Sequence, residues 1–136
     1  MENNKYKILE NLVYSKDHEW IKKINSKIAL IGITDYAAKI LNDIVYVELP
    51  ELDKEYNVLE ILGSVESIKA ISDIYSPLKG KINKVNEKLI TNPELINISP
   101  YSDGWILELE SDDLEKDLRD LMNNKQYSEY LNDTIK

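Results

Sequence analysis

The chain has 136 residues, of which 43% are hydrophobic, a length and composition typical of one folded domain with a single core. Its 25 acidic and 17 basic side chains give a net charge of −8, which argues against nucleic-acid binding because phosphates attract basic surfaces. The absence of cysteine excludes disulfides and thiolate chemistry, and no apolar run approaches the roughly 18 residues that span a membrane.

The organisation of the chain is simple. Residues 1–5 lack both the apolar core of a signal peptide and the arginine-rich bias of a mitochondrial transit peptide. We therefore expect a cytoplasmic protein of bacterial type, with a processed mitochondrial chain as the alternative. We predict one domain over residues 1–136, with a core at about 14–110 and a C-terminal helical segment at about 111–131.

The only histidine, His18, begins the tripeptide His-Glu-Trp. A histidine beside a carboxylate suggests a metal ligand or a general base. A lone histidine makes a poor metal site, so we favour a structural role for His18 and expect no metal. Trp20 is expected to pack in the core or at its rim.

Two strands and a short helix are predicted next. Residues 28–33 form a continuous apolar run, and residues 44–49 alternate and are β-branched, so both segments are typical of strands. Between them, Thr34 is a suitable N-cap, and we predict a helix that ends near Asn42, a residue able to adopt a left-handed C-cap. Residues 51–57 are predicted to be a charged loop.

Residues 63–80 place Lys69 between two segments rich in β-branched side chains, which favour strands (Val65 and Ile68 before it, Ile71 and Ile74 after it). Polar residues between them tolerate a turn. We therefore predict that Lys69 lies at or near a β-hairpin tip, with its amine open to acylation. The alternative is an ordinary solvated lysine, the usual role of a surface lysine.

The C-terminal part begins with a turn in which Pro77 fixes its own φ and Gly80 is expected to supply a positive φ. Residues 81–86 and 105–110 read as strands, separated by an irregular stretch. From Ser111 the hydrophobic period becomes helical, with one stripe of Leu114, Leu118, Leu121 and Met122 and a second of Tyr127, Tyr130 and Leu131. We expect these stripes to pack on the β core rather than bind a partner. Glycines and prolines are all assigned to turns or strand ends.

Residues 66–77 resemble the lipoyl-lysine segment of the glycine cleavage system H protein family. The resemblance covers about residues 14–130, including the tripeptide at His18 and the positions of glycine and proline (Gly32, Gly63, Gly80, Gly104, Pro50, Pro77, Pro93, Pro100). The family tends to carry glycine at Asn42 and near Asp53 and Leu59, where this chain does not. The resemblance implies a mainly β fold, a flattened barrel-sandwich hybrid of the lipoyl-domain type, with a short inserted helix and a C-terminal helix.

The resemblance also implies a function. Lys69 would carry lipoic acid, attached by a lipoate ligase or lipoyltransferase, and the chain would be a non-catalytic, monomeric carrier. Its arm would take an aminomethyl group from glycine decarboxylase (P protein) to aminomethyltransferase (T protein) and be reoxidised by dihydrolipoamide dehydrogenase (L protein). Family positions place Glu19 near the resting place of the loaded arm, and Glu66 and Asp73 close to the lysine. We predict that Glu66 is a determinant for the lipoylating enzyme and that Asp73 contacts the arm. For Glu66 and Asp73 the alternative is a polar turn that only confers solubility.

Three other functions compete with this one. An H-like protein that relays lipoyl groups, or that serves another lipoate-linked modification system, would use the same lysine. A biotin carrier also uses a hairpin lysine, but Ile68 and Ala70 occupy the positions where biotin domains carry methionine. A free-standing enzyme is disfavoured because one histidine and no cysteine offer few nucleophile–base pairs, and no phosphate-binding glycine loop is present.

Overall fold

The computed structural model describes residues 5–135, which form nine strands and five helices. In chain order these are β1 (Val13–Tyr14), β2 (Glu19–Lys23), β3 (Ile28–Ile33), α1 (Asp35–Leu41), β4 (Ile44–Glu48), β5 (Glu55–Tyr56), β6 (Ile61–Ser67), β7 (Ile71–Tyr75), β8 (Gly80–Val85), α2 (Lys88–Thr91), α3 (Leu95–Ile98), β9 (Leu107–Glu110), α4 (Leu114–Leu118) and α5 (Asn124–Thr134). Every one of these helices is too short or too polar to cross a bilayer.

The strands form two antiparallel sheets that share one core. The large sheet has the order β1-β2-β3-β9-β8-β5, and the small sheet has the order β4-β6-β7. Ile31 and Leu109 of the large sheet belong to the same buried cluster as Val65 and Ile74 of the small sheet. The sheets do not close into a barrel, so the predicted mainly β sandwich with an inserted helix, α1, and a C-terminal helix, α5, is confirmed.

Helix α1 begins and ends as its sequence predicts. The Thr34 hydroxyl accepts a hydrogen bond from the backbone N–H of Ala37 at 3.3 Å, and Asp35 occupies the positive first turn. Asn42 ends the helix with φ 65° and ψ −142°, a positive φ although not the left-handed helical conformation that was predicted.

Glycine behaves differently from the prediction. None of the glycines has a positive φ, so the expectation for Gly80 is wrong, and Gly32 and Gly63 lie inside β3 and β6 rather than at turns. Lack of room for a side chain explains these glycines better. A Cβ on Gly32 would come within 2.7 Å of the Trp20 ring, and a Cβ on Gly80 would collide with the backbone carbonyl of Glu110. Positive φ values occur instead at Asn42, Asp53 and Leu59, at or near the positions where the family tends to carry glycine, and at His18.

The C-terminal helices also differ from the prediction. The helix expected from Ser111 stops at Leu118, and α5 is the longer element. A capping box explains the new start, because the side chains of Asn123 and Gln126 satisfy each other's backbone N–H groups. Both stripes pack inward as expected, since Leu114, Tyr127 and Leu131 are buried. The stretch predicted to be irregular before β9 contains α3, and the predicted loop 51–57 contains β5.

Replacing Leu59 by glycine should stabilise the fold. Leu59 has φ 72° and its side chain is 64% exposed, so the substitution relieves backbone strain and loses little burial. We expect a gain of about 0.5–1 kcal/mol in the free energy of unfolding, measured by urea titration. The matched control is Val58→Gly. Because Val58 has no positive φ to relieve, this variant should lose about 0.5–1 kcal/mol in the free energy of unfolding. Equal losses in both variants would contradict this account of the turn.

Candidate functional site

Lys69 lies in the exposed turn that joins β6 to β7. The N–H of Ser67 donates to the carbonyl of Ala70 at 2.8 Å and closes the turn. The Ser67 hydroxyl, only 4% exposed, accepts from the N–H groups of Lys69 at 3.3 Å and Ala70 at 3.2 Å. Among residues 5–135, the Lys69 amine forms no ion pair. These hydrogen bonds thus anchor the turn to the buried end of β6, while Lys69 is exposed to solvent.

Glu66 and Asp73 lie on the solvent side of the small sheet, which we call the outer face (Tyr46, Glu48, Ser64, Glu66, Ile71 and Asp73). Nearest the tip, Glu66 stands between Tyr46 and Ile71 in one cross-strand row. In the next row, Ser64 pairs with Asp73 on β7. Glu66 and Asp73 are therefore diagonal neighbours, with their Cα atoms about 7–8 Å apart. Neither carboxylate has a cationic partner in the described part of the chain. The structure therefore brings these two predicted residues together beside Lys69.

A cleft of about 270 Å³ opens at the opposite end of this hairpin. Its apolar lining comes from the turn before β6, the turn after β7 and the segment after α4 (Val58, Leu59, Pro77, Leu78, Leu121, Met122). Its polar lining comes from the turn between β1 and β2 and from the end of α4 and the residues after it (Ser15, Lys16, Asp17, Asp117, Asp120). Strand β7 rises about 13 Å between Ile71 and Tyr75, so the cleft and Lys69 lie at the two ends of one strand.

Glu19, the third predicted residue, is buried on β2 at 1% exposure. One carboxylate oxygen accepts from the Ser15 hydroxyl at 2.9 Å, and that hydroxyl accepts from the Glu19 N–H at 3.1 Å. The other oxygen, Oε2, has no hydrogen-bond partner within the described residues. Burial raises the pKa of Glu19 to about 8; the Ser15 hydroxyl and the Tyr75 N–H lower it, and the charge of Asp17 raises it. Glu19 therefore stands behind the cleft wall, away from the exposed surface of Glu66 and Asp73.

His18 lies in an aromatic cluster. Its Nδ1 is 2.9 Å from the hydroxyl of Tyr127, and its ring packs against Tyr36 and Tyr130. Burial lowers the pKa of His18. No group of three potential metal-ligating side chains occurs in the part of the chain described. The geometry fits the structural role, in which His18 connects the turn before β2 to α5.

Sequence reasoning missed two parts of this region. The first is the role of Ser67 in the turn, for which a local signal exists, because a serine commonly accepts the N–H of the residue two positions later. The cleft is different, because it joins segments around residues 15, 58, 77 and 121. No local pattern marks residues that are brought together only by the fold.

The buried Glu19 should make the protein less stable as the pH rises. Between about 4.5, its ordinary pKa, and about 8, the unfolded chain releases the proton while the folded chain keeps it. Glu19→Gln mimics the protonated acid and should gain stability over wild type from pH 5 to pH 8, by on the order of a few kcal/mol. Thermal unfolding across this range measures the difference.

The control for this prediction is Glu51→Gln, at an exposed position, which should track wild type at every pH. A constant difference between Glu19→Gln and wild type across the range would mean that Glu19 is ionised in the folded protein.

Comparisons with known proteins come from sequence and from structure. The family model described as "Glycine cleavage H-protein" matches residues 12–134. The chain is 46% identical over 131 residues to the "Probable glycine cleavage system H protein" of Thermococcus gammatolerans, covering 96% of this chain and 97% of the relative. It is 49% identical over 118 residues to the "Glycine cleavage system H protein" of Staphylococcus epidermidis, covering 87% and 92%.

The fold gives the same result. A crystal structure of a glycine cleavage system H protein from Mycobacterium marinum superposes with a TM-score of 0.81 at 30% identity, covering 93% of this chain and 98% of that one. The resemblance carried by the lysine segment is therefore confirmed over nearly the whole chain. The chain belongs to the glycine cleavage H-protein family.

Proposed function

We propose that Lys69 is the residue that carries lipoic acid, in amide linkage, and that a lipoate ligase or lipoyltransferase attaches it. The observation that supports this most is an exposed amine without an ion pair among the described residues, mounted on a turn fixed by buried Ser67. The role of lipoyl carrier in glycine cleavage follows from the family to which the chain belongs.

The geometry suits a carrier in which the cofactor supplies the reactivity and the protein supplies its position. When attached, lipoic acid supplies a strained cyclic disulfide that thiol exchange opens and recloses. The protein presents the lysine on a stiff hairpin, and a short tether gives an effective concentration on the mM scale at a docked partner. No catalytic group is required of the carrier, so we propose a non-catalytic subunit.

The partners we propose are the P, T and L proteins, met one after another. A carrier must leave each partner after each transfer, which favours encounters guided by charge over large permanent interfaces. The net charge of −8 favours partners with basic docking surfaces. So do the carboxylates of Glu66 and Asp73 beside the tip, which form no ion pair within residues 5–135. We further propose that the carrier works as a monomer.

We assign the other predicted residues along the hairpin. Asp73 lies midway along β7, about 7 Å from Ile71, where it would contact an arm lying beside the strand. Glu19 lies near Tyr75, at the cleft end of β7. Because Glu19 is 1% exposed, its contact with the arm requires a local opening of the residues that cover it. Glu66, next to the turn, is proposed as a determinant for the lipoylating enzyme.

Lys69→Arg should abolish lipoate incorporation and keep the fold. Arginine retains the charge and the exposed position but lacks an amine that forms a stable amide. The measurement is intact mass after incubation with lipoate ligase, lipoate and ATP, with the melting temperature as the folding check. Lys79→Arg, an exposed lysine near the other end of the hairpin, should label like wild type. Labelling of Lys69→Arg would refute the assignment.

Glu66→Ala should slow lipoylation by about tenfold without unfolding the protein, since one charge-assisted contact contributes on the order of 1.5–3 kcal/mol. Glu48→Ala is the matched control, because Glu48 is an exposed carboxylate on the same outer face, one row further from the tip. Initial rates with limiting carrier measure the effect. If both variants react at the wild-type rate, Glu66 has no role in recognition.

A further inference from the structure

The hairpin tip is hydrogen-bonded to a neighbouring part of the fold that the lysine motif does not include. The N–H of Ile68 donates to the carbonyl of Asp43 at 3.2 Å. One residue further on, the N–H of Ile44 donates to the side-chain oxygen of Asn97 at 3.0 Å, and the amide group of Asn97 donates to the carbonyl of Asn42 at 2.7 Å. The segment 42–44 therefore joins the lysine turn to the end of α1 and to α3.

Three large apolar side chains around this segment are left in solvent. Ile68 is 71% exposed and stands next to Lys69, Ile98 is 73% exposed and follows Asn97, and Ile40 is 47% exposed and lies two residues before Asn42. We call Ile40, Ile68 and Ile98 the isoleucine platform. Single exposed isoleucines are common, but three of them around one segment beside a reactive amine are typical of a protein-binding surface.

The charges around the platform indicate what kind of surface it fits. Asp43 is exposed within the segment, and Glu66 and Asp73 lie on the adjoining outer face. None of these carboxylates is paired with a cation within residues 5–135, whereas the nearby Lys39 is paired with Asp35 at 3.0 Å. A surface that combines exposed apolar side chains with carboxylates complements a partner surface that combines apolar side chains with lysine or arginine.

Geometry distinguishes among the partners. An enzyme that acylates Lys69 must bring the Nζ atom to its activated acyl group, so its surface must approach to within one lysine side chain of the turn. Enzymes that act on the finished arm react at its far end and can dock further away. In the acylation step, Nζ attacks the carbonyl of a lipoyl adenylate, the C–N bond forms, the bond from the carbonyl carbon to phosphate oxygen breaks, AMP leaves and the amine proton passes to solvent.

We propose that the isoleucine platform, together with the carboxylates of Asp43, Glu66 and Asp73, is the docking surface for the enzyme that acylates Lys69, and that it contributes little to recognition by enzymes that act on the finished arm. This inference rests on the proposed function of Lys69. It adds α1 and α3 to the surface that such an enzyme contacts, because the segment 42–44 joins both helices to the lysine turn in space.

The test uses Ile98→Asp, because Ile98 is far from Lys69 in sequence, highly exposed and dispensable for the core. Lipoate ligase, lipoate and ATP are incubated with wild type, with Ile98→Asp and with the matched control Leu52→Asp. Leu52 is 54% exposed and lies beyond the opposite end of β4. We expect the KM for the carrier to rise at least tenfold in Ile98→Asp with kcat unchanged, and Leu52→Asp to match wild type. Ile68→Ser is a second variant, with the melting temperature as the folding check.

Each outcome bears on the proposal. A wild-type KM in both Ile98→Asp and Ile68→Ser would overturn it, while the proposed function of Lys69 would stand. Absence of acylation of wild type at Lys69 would instead defeat the proposed function. Fully lipoylated Ile98→Asp is then assayed with dihydrolipoamide dehydrogenase, where we expect less than a twofold change in KM. An equal rise with both enzymes would overturn the assignment to the acylating enzyme.

Discussion

The buried hydroxyl of Ser67 is the contact on which presentation of Lys69 depends. It accepts from two successive backbone N–H groups of the turn, and the Ser67 N–H closes the turn through Ala70. Because Ser67 is buried at the end of β6, these bonds are shielded from water and connect the turn directly to the core. These bonds fix the backbone of the turn, and therefore the point from which the lysine side chain projects.

The sandwich separates two chemical environments along a single hairpin. At the tip, the lysine and the carboxylates of the outer face are in water, where charge guides an encounter without holding a partner for long. At the base, Glu19 is enclosed between the sheets and burial raises its pKa to about 8. Strand β7 connects the two ends, and α5 supports the base through the contact between His18 and Tyr127.

Much of this architecture was predictable from local patterns. The period-two segments around Val65 and Ile74, the cap at Thr34 and the helical stripes at Leu114 and Tyr127 predict elements that the structure contains. Backbone strain was less predictable, because Leu59 shows no sign in its own chemistry of a positive φ. The prediction of a positive φ at Gly80 is wrong because this position instead needs a residue without a side chain beside β9. That need depends on strand pairing, which no local pattern shows.

The residues of the site also differ in whether a local sequence pattern predicts their position. Lys69, Glu66 and Asp73 lie within eight residues, so a hairpin prediction was enough to place them on one end of one sheet. Glu19 came from resemblance alone, and its burial follows from packing that no local pattern encodes. The isoleucine platform was invisible for the same reason, because Asn97 joins residues more than fifty positions apart.

The central proposal is that the exposed amine of Lys69, on the turn held by Ser67, is the lipoate acceptor of this chain. Tandem mass spectrometry of wild-type protein, digested after reaction with lipoate ligase, lipoate and ATP, tests it most directly. The account predicts one lipoyl adduct, located on Lys69. An adduct on a different lysine, or an unmodified Lys69 under conditions in which the ligase modifies a known acceptor, would contradict it.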